Sequence, residues 1–290
     1  MAHPSPLETI VFFDLFDWPL TQNELFKLAR GTAPYSRFIE QERGFIFLKG
    51  RERLVKERWR KEKQAASLWR KTRRFISFLA VFPFVRAIFV SNTLAYNNAK
   101  AGTDIDLFIV IRQGQLWFSR FLISLWLLLL GEKRQGKRIA DKFCLNFFVT
   151  EETLDLSKVQ IPGGDPYLDY WLFTLSPVFD YGVLPRLVSA NSWLKERFPW
   201  YGRSVYSPPL TRVSLATRAP QFLGELIFYL LLGPLWEQLL RVLQLARIRS
   251  KQKSLPPAEV ASDSMLKFHP QDKREAIRKT LQNKMEKYAI

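Results

Sequence analysis

Asp104 and Asp106 stand two residues apart at the head of a run, Ile105 to Ile111, whose other positions are apolar on both faces. On a strand such a pair projects from one side, with roughly 6 to 7 Å between backbone positions, so the side chains can converge. Like charges at the mouth of an interior strand are costly unless a cation compensates. Hard carboxylate oxygens suit magnesium, which in turn bridges phosphate oxygens. The competing reading, two hydrated aspartates at a strand start, is weakened by what lies upstream. There a strand ends at Ser91 and Asn92-Thr93-Leu94-Ala95 opens a short helix, whose backbone amides and Thr93 hydroxyl would meet phosphate.

A sheet has to hold these residues. Phe84 to Val90 alternates as a strand, 104–111 reads as a buried strand, 116–130 as a helix and Phe143 to Val149 as another strand. That alternation predicts an α+β class, with a small mixed-sheet core. Ahead of it the pattern gives a helix at 7–16, a break at Trp18-Pro19, and a capping box in which Thr21 and Glu24 satisfy each other's backbone amides. A short strand over 44–48 with a turn at Gly50 completes a winged-helix-like module. From Arg51 to Phe82 runs one long helix, its later half striped by Leu68, Thr72, Phe75, Leu79 and Phe82. The expected division is a winged-helix-like module over 1–50, a basic linker helix over 51–82 and the core over 83–160. An aromatic-rich helical region over 161–253 follows, then a linker at Ser254 to Pro257 and a charged terminal helix within 254–290.

Composition narrows the chemistry. Lys and Arg outnumber Asp and Glu by 44 to 27 over 290 residues, a formal charge of +17, which calls for an anionic partner. Two histidines cannot build a His-rich zinc site, and one cysteine allows no internal disulfide. Glu8, Asp14 and Asp17 stand where a secretory signal would carry basic residues, so a cytoplasmic location is expected. The apolar segments Leu116–Leu130 and Phe222–Trp236 are interrupted by Arg120 and by Glu225 with Pro234. They are too short to span a bilayer and read as buried core helices. Between Lys49 and Arg74 twelve Lys or Arg stand against three Glu. This is either a nucleic-acid-facing surface or a solvated helix face, and Trp59 and Trp69 either stack on bases or cover core.

The pattern Val90-x-Asn92-Thr93, ten residues, then Asp104-Ile105-Asp106-Leu107 resembles the nucleotidyltransferase superfamily typified by DNA polymerase beta and the minimal bacterial nucleotidyltransferases. The likeness covers the stretch from Ile88 to Val149. It implies that Asp104 and Asp106 hold Mg2+ and carry catalysis with a nucleoside triphosphate, and that Asn92 and Thr93 stand where the family's phosphate-binding Gly-Ser stands. It also implies a third carboxylate on the later strand, where Asn146 aligns. The sequence departs there, since an amide ligates metal but is no base, and departs again at Asn92, whose Cβ crowds a phosphate more than glycine does. Asp141 has the wrong strand parity to substitute.

Other candidates have ordinary readings. Lys100 and Arg112 flank the aspartates as phosphate contacts or as surface charge. His269 is a structural histidine before a nucleotide contact, and Cys144 a packed thiol before a nucleophile. No P-loop or dinucleotide glycine string is present. The expected function is a Mg-dependent nucleotidyltransferase acting on an unknown hydroxyl acceptor. The alternative is a non-catalytic nucleic-acid-binding regulator with a degenerate core, using the basic helix 49–74. Peripheral contact with anionic lipid through the tryptophan-rich helices ranks third.

Overall fold

The β-branched and aromatic runs of the middle of the chain pair edge to edge, and the remaining elements are arranged by which face of that sheet they cover. The computed structural model describes residues 3–29, 37–136, 138–202, 214–231, 233–252, 260–268 and 272–288. In chain order these form α1 (Pro6–Asp14), β1 (Leu20–Thr21), α2 (Gln22–Leu28), β2 (Ile39–Glu42), β3 (Phe45–Leu48) and α3 (Arg53–Leu79). Then come β4 (Val85–Val90), α4 (Asn92–Ala95), β5 (Ile105–Ile111), α5 (Leu116–Leu129), β6 (Phe143–Thr150), α6 (Pro166–Thr174) and β7 (Ser176–Asp180). The last are α7 (Leu184–Ala190), α8 (Trp193–Arg197), α9 (Leu215–Leu230), α10 (Gly233–Gln252), β8 (Val260–Ala261), β9 (Met265–Lys267) and α11 (Arg274–Tyr288). The class is α+β.

A six-stranded sheet runs β7-β4-β5-β6-β9-β8, with β5 and β6 parallel and every other pair antiparallel. It draws β7 and the β8–β9 hairpin from segments that the sequence pattern leaves outside the core. One face, with Phe89, Phe108 and Phe147, packs on α1 and α6, where Phe12 stacks on Tyr170 at 4.1 Å between centroids. The other, with Ile88, Ile109 and Phe148, packs on α3 and α5. A smaller three-stranded sheet, β1-β3-β2, lies beside α1 and α2. Thr21 and Glu24 form the expected capping box. The Ser254–Pro257 linker lies outside the described residues.

Two expectations change. Phe222–Trp236 is not a buried core segment: Phe222, Leu230, Leu235 and Trp236 are exposed by 69%, 72%, 64% and 48%. Inward it turns Glu225 and the Phe228 ring, and it leaves most of its other apolar side chains outside. Among the described residues no single helix is long and apolar enough to cross a membrane. The basic helix is also less free than its composition reads. Arg58 is buried, stacked 4.0 Å from the Trp18 ring and bidentate to Glu24 at 2.6 and 2.7 Å. Arg51 pairs with Asp14 and Asp17, Lys61 donates to the Asp17 carbonyl, and Lys71 pairs with Glu132. Trp69 is core, its indole donating to Asn97, while Trp59 is half-exposed. The outward basic surface is thus reduced to residues such as Arg53, Lys56, Arg60, Arg70 and Arg73.

Removing one member of the Arg58–Glu24 pair strands the other charge. Arg58→Ala is expected to cost about 3–5 kcal/mol in urea unfolding. A loss below about 1 kcal/mol, the range of an exposed pair, would contradict the clamp.

Candidate active site

Parallel pairing sets Asp106 directly across from Cys144. The carboxylate and thiol ligand atoms of Asp104, Asp106 and Cys144 all lie within 4.8 Å of one another. The two carboxylates therefore converge as their spacing predicts. Arg134 reaches over them from the loop before β6, 2.6 Å from the Asp104 carboxylate and 3.4 Å from the Cys144 sulfur. Lys133 bridges to Phe143 and the Arg134 amide bonds to the Phe143 carbonyl, so the loop is tied to the strand it precedes.

Burial and then the neighbouring Asp104 charge push the Asp106 carboxyl well above the usual carboxylate range, and hydrogen bonding from Asn92 and Cys144 offsets only part of this. Burial and the two acids also push the Cys144 thiol up, so it stays protonated and acts as a donor. One guanidinium beside two carboxylates leaves a net negative cluster at the mouth of β5.

Asn92 lies close against Asp106. Its φ is +57°, the left-handed region that glycine enters freely and Asn better than most residues. A residue with a Cβ thus holds a backbone shape that glycine favours. The Asn92 side-chain oxygen accepts from the Tyr167 hydroxyl at 3.1 Å, and burial keeps that phenol protonated. Asn92, Thr93, Tyr96 and Tyr167 line a cavity of about 50 Å³ continuing between α1 and α6. That volume holds a water or two, at ~30 Å³ each in the liquid.

The remaining candidates are dispersed. β6 bulges opposite Leu107: Asp106 pairs with Cys144 and Phe108 with Phe147, so Leu145 and Asn146 share the interval. Asn146, the aligned third position, gives its carbonyl to the Phe268 amide, and the residue in register with Asp106 is Cys144. Asp141 lies outside the cluster, in a left-handed turn bonded to the Thr103 carbonyl. Lys100 pairs with Asp17 at 3.1 Å and Arg112 with Glu225 at 3.1 Å, both away from the aspartates. His269 lies outside the described residues. Sequence reasoning missed Arg134, Tyr167 and the register of Cys144. The one available signal was the density of Lys and Arg between Gly131 and Lys142.

Comparison with protein-family models, curated proteins and solved structures finds no match.

Because Asp106 holds its proton more tightly in the folded chain than in the unfolded one, its contribution to stability is full below the usual carboxylate pKa and is lost as pH rises towards neutrality. In chelator, Asp106→Asn is expected to raise stability at neutral pH by on the order of 1 kcal/mol, with the gain vanishing near pH 4. Thermal unfolding across pH checks this, and a loss of stability at neutral pH would refute it.

Proposed function

We propose that the chain is a Mg-dependent nucleotidyltransferase, moving a nucleoside monophosphate from a triphosphate to a hydroxyl acceptor. The observation that supports this most is the convergence of Asp104 and Asp106 at the end of an interior strand, where burial and mutual repulsion disfavour the charge on Asp106. Such a pair is relieved by a divalent cation. The donor set fits magnesium in part: two carboxylates supply hard oxygens, and water and phosphate would complete six-fold coordination. The Cys144 thiol, protonated and soft, is no magnesium ligand and serves as a donor to Asp106 instead.

In the proposed reaction the acceptor oxygen bonds to the α-phosphorus, the bond to the bridging oxygen breaks and pyrophosphate leaves, while the hydroxyl proton is lost. Magnesium, when bound, neutralises charge on the triphosphate. Asp104 and Asp106 would hold the ion. Arg134, part-exposed beside Asp104, sets a fixed positive charge where phosphate oxygens would come. Asn92, positioned by Tyr167, orients towards Asp106 and keeps the turn in which the family's phosphate loop lies.

A second reading has its own observation. The position in register with Asp106 is a thiol, and Arg134 already occupies one lobe of Asp104, as expected of a core that no longer turns over. The chain would then be a regulator, using the outward basic surface of α3 on nucleic acid.

Incubation with each nucleoside triphosphate and magnesium, read as pyrophosphate release, separates the two. The enzyme reading expects release that Asp104→Asn or Asp106→Asn lowers by about 10²-fold or more. It also expects magnesium to raise the unfolding temperature of the wild type but of neither variant. Equal release by the variants would remove the proposal. No release, together with steeply salt-dependent duplex binding lost in Arg70→Glu/Arg73→Glu, would favour the regulator.

A further inference from the structure

α9 and α10 are built inside out. The polar side chains at their centres face the protein: Gln221 donates to the Phe82 and Val85 carbonyls, and Glu225 binds Arg86, Arg112 and the Phe84 amide. Glu237 accepts from the Trp117 and Phe118 amides at the start of α5, and Gln244 bonds to the Trp117 carbonyl and Arg120. The outward faces carry most of the apolar residues, including Phe222, Ile227 and Leu230 on α9 and Leu235, Trp236 and Leu239 on α10, while Phe228 and Leu240 are buried with the polar side chains. An exposed apolar surface of this extent on two consecutive helices is not a solvent face.

Charge identifies what covers it. Among the described residues, the only acids of the two helices are Glu225 and Glu237, and both are turned inward on hydrogen bonds. Arg241, in the middle of α10, is paired with Asp263, and the exposed arginines lie at the ends of the outward stripes. Arg218 precedes Phe222 by one turn, Arg247 follows Leu243 by one turn, and Arg249 follows Val242 by two. All three are exposed, Arg218 resting on the Tyr181 ring. An apolar stripe with arginine at its ends and no outward acid is complementary to an anionic bilayer interface. A second copy meeting this face across a two-fold axis would instead bring like-charged rims together. The helices meet at 87°, and neither alone is both long and apolar enough to cross, so we place them in the interface rather than across it.

We propose that the outward face of α9 and α10 docks on anionic phospholipid, seating the protein on a membrane surface. The inference does not rest on the aspartate site. It is tested on the full chain by co-sedimentation with vesicles of phosphatidylcholine alone or with roughly a third phosphatidylglycerol. The wild type is expected on the anionic vesicles, with binding weakened by salt. Leu230→Glu/Leu235→Glu is expected to raise the lipid concentration for half-binding by about tenfold or more. Arg247→Glu/Arg249→Glu should weaken binding severalfold on the anionic vesicles alone. Since these side chains point outward, the unfolding temperature of each variant should match the wild type. No vesicle binding by the wild type, or equal binding by Leu230→Glu/Leu235→Glu, overturns the proposal. So does a lipid-free dimer that the same substitutions dissociate, which would assign the face to a second copy.

Discussion

The register of the parallel β5–β6 pair decides what the middle of this molecule can do. Parallel neighbours present side chains level with one another, so whatever β6 places across from Asp106 joins the same cluster. Here that residue is Cys144, with Arg134 held above it by the loop that delivers β6. One extra residue in the bulge separates this arrangement from one in which another side chain of β6 would stand level with Asp106. The protonation of the thiol and the Arg134–Cys144 contact follow from that alignment.

Much of the sheet was legible in the residues because its signals are local. The alternation of Val85–Val90, the buried run after Asp104 and the Thr21–Glu24 box each declare a backbone state from a handful of neighbours. The convergence of Asp104 and Asp106 was legible for the same reason, since two positions on one strand share a side whatever the rest of the chain does. Asn92 followed from its chemistry, being one of the few residues with a Cβ that settle in a left-handed turn.

What was not legible depends on long-range partners. Lys100 and Arg112 are near the aspartates in sequence but are claimed by Asp17 and Glu225, 83 and 113 residues away. Arg58 and Lys61 count as surface charge in any composition window, yet both are buried, one on Glu24 and one on the backbone of the α1–β1 turn. The same reversal governs α9 and α10. A run of Leu and Phe reads as core, and the reading fails because Gln221, Glu225, Glu237 and Gln244 have strong partners on the sheet side. Periodicity locates two faces of a helix and leaves open which of them turns inward.

The first helix is completed by one of the last elements to be made. α1 packs against α11, where Lys284 reaches Asp14 at 2.8 Å across 270 residues, and α11 is fastened in turn by Arg274 on Asp165 at the head of α6. α1 is covered in part by its near neighbours α2 and β3, and the rest of its cover, Tyr170 of α6 and then α11, comes from far along the chain. This side of the protein is therefore closed by contacts of high sequence separation, the kind whose loop-closure entropy slows folding.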